Sequence, residues 1–480
     1  MYDVLIMNCV KSSRRVTVLL STLIVAAELL RFGSAFAEPP SARWWKGNPQ
    51  TQSYWSDGDL MPEDVVAWYK KNEFHFVVLS DHDRPPVGER WKEVASQKNS
   101  EEVWRTVDPE ILEQYRQRYG EDWVEMRAHG GVLQVRLKPV SEFGPLVNES
   151  QSFLVMPSQQ IYTHVEDEAG HVQPNNAGGA WLDIANSSAV ITPARSRHPS
   201  EALQKTVDRV REYAASSGRR VLLGLAHPNY EWQLTAKEIV GINGLRFMEI
   251  YTALSMCHSE GDEQRASAER IWDIVLTRRL AELDKRLIHG LASDDAHTFG
   301  ALPGMRSWGR PGCGWIMVRA HYLTPESLFA AMERGEFYAS SGVSLTDVQR
   351  DASGLSVTIH TEEDVTYTTQ YIGTRRGYDR SSSPVVDATG ALLHTTRRYS
   401  DDVGRVLYET KDTTSTYRFR GDEIYVRARI LSDNPHRTRA GRGRQKVPGR
   451  SQSYRGTSPR LPAHPISDIL LMTHLRLELA

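Results

Sequence analysis

Acidic residues and histidines gather at four places in the sequence, each directly after an apolar run. These places are Ser80-Asp81-His82, His227-Pro228-Asn229, Glu249 and Asp294-Asp295-Ala296-His297. Carboxylates and imidazoles are hard and borderline ligands that suit zinc, manganese or iron. If the apolar runs are strands of one sheet, their polar ends meet at one edge, where they could hold a divalent metal.

The apolar runs alternate with amphipathic segments that predict helices. A helix is expected over residues 59–72, because Pro62 suits a first turn and the acidic pair Glu63 and Asp64 favours its amino end. A buried strand is expected at 74–79. Ser200 is a plausible N-cap for a second helix, which ends at Gly218 before a strand at 221–226.

The same alternation continues with a strand at 245–251, a helix at 266–283 and a strand at 287–292. This order predicts a parallel α/β structure, in which ligands bind at the carboxyl ends of the strands. Residues 91–127 are expected to form a helical insertion without chemistry of its own. From about residue 345, short β-type runs broken by glycine, aspartate and serine predict a small antiparallel domain.

Several longer phrases resemble motifs of a known family. WWKGN, WSDGD, SDHD, LAHPN, ERIWDIVLTRRLA and GLASDDAH are together similar to the PHP (polymerase and histidinol phosphatase) metallohydrolases, in particular to an exported, carbaryl-hydrolase-like branch. The resemblance extends from Trp44 to about Val343. It implies an α/β fold, a distorted (β/α)7 PHP-type barrel followed by the small antiparallel β domain, with up to three divalent metals.

The resemblance also implies how the metal ligands are divided. Asp57, His82 and His297 match one complete site of one carboxylate and two imidazoles. His171 and His227 match the imidazoles of a second site, whose bridging glutamate falls on Gln160. A further site would need Gln50, Gln52, Gln160 and Asp295, and the family's His-x-His pair is Gln50-Thr51-Gln52 here. An amide is a weak ligand for a transition metal, so fewer than three ions are expected.

Two functions follow from this partly altered ligand set. The first is metal-dependent hydrolysis of a phosphoester, amide or carbamate type bond by metal-bound water, with Asp57, His82, His227 and Asp295 as catalytic groups and zinc, manganese or iron as the cofactor. The alternative is a catalytically inactive protein that binds an anionic ligand or a partner protein. A structural protein whose β domain carries the function is a third possibility. Glu249, His258 and Arg319 are candidates for supporting roles around the metal.

Composition and the chain ends limit the partners. The 58 Lys and Arg nearly balance the 60 Asp and Glu, so no global charge favours nucleic acid or a membrane surface, and a small-molecule or anionic substrate is expected. Residues 1–37 have the form of a signal peptide, with Arg14 and Arg15 before an apolar run and Ala35-Phe36-Ala37 before the expected cleavage point. A membrane anchor is the competing interpretation, and Met7 is an alternative start.

The expected organisation is therefore a leader at 1–37, a metallohydrolase domain at 38–344, a β-rich domain at 345–434 and a tail at 435–480. The tail is rich in Arg, Gly, Ser and Pro and is expected to be solvated and disordered. The mature chain keeps Cys257 and Cys313, which are compatible with one disulfide, although the sequence does not decide whether they pair.

Overall fold

The computed structural model of the protein describes residues 40–97, 105–173, 178–300, 309–433 and 468–473. The expected signal peptide and most of the expected tail lie outside these residues. The strands, in chain order, are β1 (Arg43–Thr51), β2 (Phe76–Leu79), β3 (Arg90–Glu93), β4 (Met126–His129), β5 (Val132–Leu137), β6 (Leu154–Tyr162), β7 (His164–Val165), β8 (Trp181–Ala185), β9 (Arg195–Ser196), β10 (Leu222–Ala226), β11 (Phe247–Thr252), β12 (His289–Ser293), β13 (Trp315–Ala320), β14 (Phe337–Ser340), β15 (Ser344–Asp351), β16 (Gly354–His360), β17 (Tyr367–Arg375), β18 (Ser382–Ser383), β19 (Arg398–Tyr399), β20 (Arg405–Thr410), β21 (Thr414–Arg418), β22 (Glu423–Ser432) and β23 (Asp468–Thr473).

Seven α-helices accompany the strands among the described residues. They are α1 (Pro62–Lys71), α2 (Pro109–Tyr119), α3 (Val140–Val147), α4 (Pro199–Ser217), α5 (Ala236–Val240), α6 (Ala268–Ala281) and α7 (Pro325–Glu333). Three 3-10 turns lie at Glu121–Trp123, Tyr230–Trp232 and Ser255–Cys257. None of the helices in the described ranges has the length and hydropathy that a bilayer span requires.

The barrel is one end of a 13-stranded sheet in the order β12-β11-β10-β8-β6-β2-β1-β13-β14-β23-β22-β17-β20. A parallel bridge between Thr51, at the end of β1, and Ala296, just after β12, brings the two ends of the first seven strands together. This closure confirms the predicted distorted (β/α)7 barrel. Gly47 is required in β1, because a Cβ there would lie 2.1 Å from the Phe76 ring of the neighbouring strand.

The barrel is not wholly parallel, in contrast to the expectation. β1, β2 and β6 pair in parallel, as do β10, β11 and β12, but β8 runs antiparallel to both of its neighbours. The residues that β8 presents at the ligand edge therefore come from its amino end. This reversal decides which side chain enters the site.

Helices cover the outside of the barrel through apolar contacts. Leu203 and Val207 of α4 and Trp272 and Val275 of α6 belong to one buried cluster with strand residues such as Leu225. Burying such side chains contributes about 1.5 to 3 kcal/mol each relative to exposure. The predicted helices and strands are all present, with their ends shifted by a few residues. For example, the helix expected from residue 59 begins at Pro62.

Among its described residues, the insertion expected to be helical contains one α-helix, α2, and residues of a three-stranded antiparallel sheet in the order β3-β5-β4. Tyr54 and Trp55, from the loop that follows β1, pack into its apolar core beside Tyr115 of α2. Because that loop carries Asp57, the insertion supports the candidate site directly.

The antiparallel part is joined to the barrel through a shared sheet. β15, β16 and β21 form a separate three-stranded sheet, whereas β22, β17 and β20 continue the barrel sheet. The link is β23, which pairs with β14 on one side and with β22 on the other. Residues 468–473 thus form a strand within the segment for which a disordered tail was expected. The boundary expected at residue 344 stays a prediction.

A buried ion pair also connects the two parts. Arg427 of β22 donates two hydrogen bonds to Asp273 of α6, at 2.9 and 2.8 Å, and both side chains are buried. Glu269 of the same helix lies 2.6 Å from a further guanidinium nitrogen of Arg427. Such a bidentate pair fixes the relative position of helix and strand.

Candidate metal centre

The loop after β1 holds Asp57 at the mouth of the barrel. Asp81, at the end of β2, accepts hydrogen bonds from the backbone N–H and the hydroxyl of Ser53 and from the hydroxyl of Ser56, at 2.8 to 2.9 Å. Gly58 packs against Ser53 so closely that a Cβ would lie 2.7 Å from its backbone. Asp81 and Gly58 therefore shape the loop that presents Asp57.

Asp57, His82 and His297 converge as the sequence predicted. The Nε2 atoms of His82 and His297 lie 3.5 and 3.6 Å from Oδ1 of Asp57, and the two imidazole rings are 6.1 Å apart. One ligand atom from each of the three residues lies within 4.8 Å of the others. Three strands distant in sequence, β1, β2 and β12, bring these groups together.

The donor atoms of this trio have the free lone pairs that a cation needs. Oδ1 of Asp57 and Nε2 of His82 are buried and make no hydrogen bond. The Nδ1–H of His297 faces the backbone carbonyl of Asp295 at 2.8 Å, which leaves Nε2 of His297 as an acceptor directed at Asp57. A divalent cation fits this set of one carboxylate and two imidazoles.

Electrostatics favours an ionised Asp57. Burial disfavours its charged form, yet the imidazoles of His82 and His297 lower the pKa of Asp57 to about 2. Burial also opposes protonation of His297, but the carboxylates of Asp57 and Asp295 raise the pKa of that imidazole above its ordinary value. The site thus attracts positive charge.

Three glutamines fill the position where a further metal would need ligands. The Nε2 atoms of Gln50 and Gln52 donate to Oδ1 of Asp295 at 3.0 and 3.4 Å, and Gln52 also reaches Oε1 of Gln160 at 3.5 Å. Ser293 donates to Oε1 of Gln50 at 3.0 Å. Amide hydrogens satisfy Oδ1 of Asp295 here. The Gln50, Gln52 and Gln160 set therefore does not fit a cation.

His227 lies next to this amide network. Its Nε2 atom is 3.9 Å from Oδ2 of Asp295 and 3.5 Å from the amide nitrogen of Gln160. Burial lowers the pKa of His227 to about 4, so the ring is neutral. His227 and Asp295 both have positive backbone φ angles, 22° and 47°, in the left-handed region that non-glycine residues seldom adopt.

Trp181 occupies the space beside the two histidines. Its indole lies 4.9 Å from the His82 ring and 6.0 Å from the His227 ring. Trp181 is the first residue of β8, the reversed strand, and so reaches the ligand edge. The resemblance implied a second imidazole beside His227. The residue found at this position is Trp181, and its indole offers no lone pair to a metal.

His171, which was expected to supply that imidazole, lies in an exposed hairpin. Its side chain is 79% exposed and its Nδ1 atom is 3.3 Å from Oδ2 of Asp167. His258 stacks on Trp232 with ring centroids 4.3 Å apart, and Arg319 lies 3.5 Å from Asp347. Glu249 does support the site, but through the backbone: its Oε2 accepts the N–H of His227 at 2.9 Å.

A layer of buried acids lies beneath His227. Asp183 of β8 and Glu249 of β11 are 9% and 2% exposed. Burial and the neighbouring carboxylates of Glu249 and Asp295 raise the pKa of Asp183 well above its ordinary value. Burial and Asp295 likewise raise the pKa of Glu249 to about 7. Glu249 was a candidate from the sequence, whereas Asp183 was not.

Cys257 is a further residue that the sequence did not indicate. Its thiol is buried and belongs to a second group of potential ligands with His227 and Asp295. Burial and the carboxylates of Asp295 and Glu249 raise its pKa well above the usual value. With a neutral imidazole and a protonated thiol, this arrangement does not form the ion pair that activates a cysteine nucleophile. Cys257 and Cys313 are both free cysteines.

Cationic side chains slightly outnumber carboxylates at the mouth of the barrel. A basic cleft of about 710 Å³ opens onto Asp57 and His82, and its lining contains Arg84, Arg90, Lys92 and Arg105 together with the carboxylates of Asp83 and Glu93. Arg90 and Lys92 belong to β3 of the insertion. Lys92 is buried and donates to the carbonyl of Ser56 at 2.6 Å. Residues of the insertion thus line the cleft, and the expectation that the insertion has no chemistry of its own stays a prediction.

Comparison with known proteins adds little. No family model matches the sequence, and no curated protein matches it. The chain is similar to a solved structure from Bacteroides vulgatus ATCC 8482, described as a two-domain protein containing a predicted PHP-like metal-dependent phosphoesterase. The identity is 10% and the TM-score 0.33, with 83% of this chain and 93% of that chain covered. At this TM-score the likeness carries no argument for family or activity.

Proposed function

We propose that the protein is an exported, PHP-like metal-dependent hydrolase of the carbaryl-hydrolase-like branch, with one complete cation site formed by Asp57, His82 and His297. The substrate would carry an anionic group, and a phosphoester suits the site better than an amide or carbamate. The observation that supports this most is the convergence of three donor atoms, two of them buried and without a hydrogen bond. Buried polar atoms usually have partners, so these lone pairs fit a bound cation.

The basic cleft supports the choice of substrate. Arg84 and Arg90 line the same cleft as Asp57 and His82. Guanidinium groups bind phosphate oxygens with charge-assisted hydrogen bonds of fixed geometry. A substrate with a neutral leaving group and no anionic oxygen would gain little affinity from Arg84 and Arg90.

The roles of the residues follow from their positions. When bound, a divalent cation supplies Lewis acidity and lowers the pKa of a coordinated water. Asp57 contributes the negative charge of the site, and the carbonyl of Asp295 holds His297 in the tautomer that leaves Nε2 free. The arginines orient the anionic group, and Trp181 forms an apolar wall that limits the access of water.

The amide network favours a second candidate function. Gln50 and Gln52 satisfy Oδ1 of Asp295 by hydrogen bonds, so a multi-metal centre of the kind implied by the resemblance is not available. A chain with this arrangement could bind an anionic ligand at the basic cleft without turnover. In both functions Arg84 and Arg90 bind the ligand. The two functions differ only in whether a bond of that ligand is cleaved.

Metal content and hydrolysis separate the two candidates. The purified protein would be stripped with a chelator, loaded with zinc or manganese, and assayed with an aryl phosphate. Bound metal with turnover that Asp57→Asn and His297→Ala both abolish supports the hydrolase. Metal-dependent binding of inorganic phosphate without any turnover supports the binding protein. Failure to bind either ion would refute the assignment of Asp57, His82 and His297 as a metal site.

Export is proposed from the leader sequence alone. It is tested by amino-terminal sequencing of the protein after expression of the full chain in a bacterium with a periplasm. A mature protein that starts at Glu38 is expected, and retention of residues 1–37 would contradict the expected cleavage after Ala37.

A further inference from the structure

Cys257 lies in an unusual environment for a buried cysteine. Most buried cysteines pack as small apolar groups. Cys257, at the end of the turn Ser255–Cys257, instead has a nitrogen of His227 and a carboxylate oxygen of Asp295 within 4.8 Å of its sulfur. All three side chains are buried. A thiol, an imidazole and a carboxylate are the three kinds of ligand that zinc takes from proteins.

Asp295 and His227 each have a donor atom that other contacts leave available, whereas the Cys257 side chain has a hydrogen bond with Thr252. Oδ1 of Asp295 accepts hydrogen bonds from the glutamines, while Oδ2 faces Nε2 of His227 at 3.9 Å. Nδ1 of His227 is buried and makes no hydrogen bond. In a tetrahedral zinc site, bond lengths of about 2.0 to 2.3 Å separate neighbouring ligand atoms by roughly 3.3 to 3.6 Å. Because the three atoms lie within 4.8 Å of one another, relative shifts of up to about 1.5 Å would bring them to ligand distances.

The buried carboxyl groups around this cluster also favour a bound cation. Asp183 is 9% exposed, and its Oδ1 atom makes no hydrogen bond. The charged groups that act on Asp183 are the carboxylates of Glu249 and Asp295. Within the described residues, neither Asp183 nor Glu249 forms an ion pair with Lys or Arg. Buried carboxyl groups gathered in this way are normally compensated by a cation or kept protonated.

We propose that His227, Cys257 and Asp295 form a second metal site, separate from the trio of Asp57, His82 and His297, and that its thiolate ligand selects a borderline-soft ion such as zinc. The site takes its sulfur ligand from the turn after β11 and does not need the glutamines as ligands. The acids Asp183 and Glu249 stabilise its positive charge from below. Metal binding displaces the thiol proton to solvent and leaves the thiolate on the ion.

Cobalt(II) spectroscopy tests this site, because a thiolate ligand gives cobalt an intense near-ultraviolet charge-transfer band that nitrogen and oxygen ligands do not give. The chelator-treated protein would be titrated with cobalt alone. Two equivalents and the thiolate band are expected for the unchanged protein. Cys257→Ser should lose the band and one equivalent, while Cys313→Ser, which alters the other buried free cysteine, should keep both.

The two sites are distinguished by the complementary variant. Asp57→Asn together with His297→Ala should abolish one equivalent and leave the thiolate band in place, whether or not the protein is a hydrolase. Survival of the band in Cys257→Ser would overturn the proposal, as would cobalt binding to the unchanged protein without the band. The absence of all cobalt binding would overturn both sites.

A measurement on the unchanged protein avoids any folding defect of the cysteine variant. X-ray absorption at the zinc edge of protein loaded with two equivalents should show a sulfur neighbour at about 2.3 Å, the ordinary zinc–thiolate distance. Averaged over two ions, it should correspond to half a sulfur per zinc. A shell of nitrogen and oxygen alone would overturn the proposal.

Discussion

Nε2 of His82 lies 3.5 Å from Oδ1 of Asp57, and both atoms are buried without a hydrogen bond. Two acceptors at this distance gain little from each other unless a proton or a cation lies between them. Asp57 is the common neighbour of both imidazoles, because His297 approaches the same oxygen at 3.6 Å. The contribution of this one oxygen to metal binding can be measured directly.

Asp57→Asn should weaken binding of the metal held by the trio by at least about 100-fold, since even outer partners of a ligand contribute about 10- to 100-fold. The amide keeps the shape of the side chain but removes its negative charge. Isothermal titration of the chelator-treated protein with zinc measures the effect. His171→Ala is the control and should bind normally, because that side chain is 79% exposed and paired with Asp167. Equal losses in the two variants would contradict the assignment.

The triple change Gln50→His, Gln52→His and Gln160→Glu should add metal-binding capacity. It replaces the amides that donate to Asp295 with groups that can share a cation with Asp295. We expect at least one further equivalent of zinc or manganese by elemental analysis, and a rise in any hydrolysis of aryl phosphate. Unchanged metal content in a folded triple variant would mean that these positions do not face a common cation.

The basic cleft should control affinity for anions. Arg84→Ala and Arg90→Ala should each weaken binding of inorganic phosphate to the metal-loaded protein by about tenfold, because a hydrogen bond to a charged group contributes about 1.5 kcal/mol or more. The effect should shrink at high salt. Arg211→Ala on α4, where the arginine is 3.5 Å from Asp208, is the matched control and should have no effect. If neither variant changed the affinity for phosphate, the anion would bind elsewhere.

Glu63 should make stability depend on pH. Burial raises its pKa from 4.5 to about 7, and its Oε1 atom accepts a hydrogen bond from Tyr115 at 2.8 Å. The unfolded chain ionises at lower pH than the folded protein, so stability should fall as pH rises from about 4.5 to about 7. Glu63→Gln should remove this loss, which is roughly 3 kcal/mol by the usual conversion of a pKa difference.

Urea unfolding at pH 5 and pH 8 measures the Glu63 effect. The variant should match the unchanged protein at pH 5 and exceed it at pH 8. Glu212→Gln, on the exposed face of α4, is the control and should show no such difference. Greater stability of the unchanged protein at pH 8 would contradict the prediction.

Arg427→Met should destabilise the protein by about 3 to 5 kcal/mol, because Asp273 would remain buried without its partner. Asp273→Leu combined with Arg427→Met should cost less than Arg427→Met alone, since it removes both charges. The free energy of unfolding in urea checks both values. Equal destabilisation by the single and double variants would show that the pair contributes only packing.

The short apolar runs, which separate well from amphipathic helices, predicted an α/β structure, and the resemblance to the PHP family implied that it forms a barrel. The resemblance of WSDGD, SDHD and GLASDDAH to family motifs predicted Asp57, His82 and His297, and the last two also follow predicted strands at the edge where parallel strands end. The same rule failed for Trp181. Strand direction is set by pairing with neighbours, which a single run such as WLDIA does not reveal, and β8 is reversed.

Other parts of the site depend on tertiary structure that no local pattern encodes. Cys257 lies in an irregular turn, and only the fold brings it to His227 and Asp295. Arg90 and Lys92 belong to an insertion whose helical and charged composition suggested a solvated surface. The resemblance to the family assigned His171 to the second site, but a local match within a loop does not fix position, and its hairpin lies at the surface.

The placement of β23 has a consequence for biosynthesis. Residues 468–473 insert between β14 and β22. The facing backbone N–H and C=O groups of β14 and β22 therefore have their strand partner only after this later segment has been synthesised. A chain that ended before residue 468 would have two exposed sheet edges with unpaired backbone groups, and such edges promote self-association. Nonsense mutations that remove residues 468–473 should therefore cause insoluble protein.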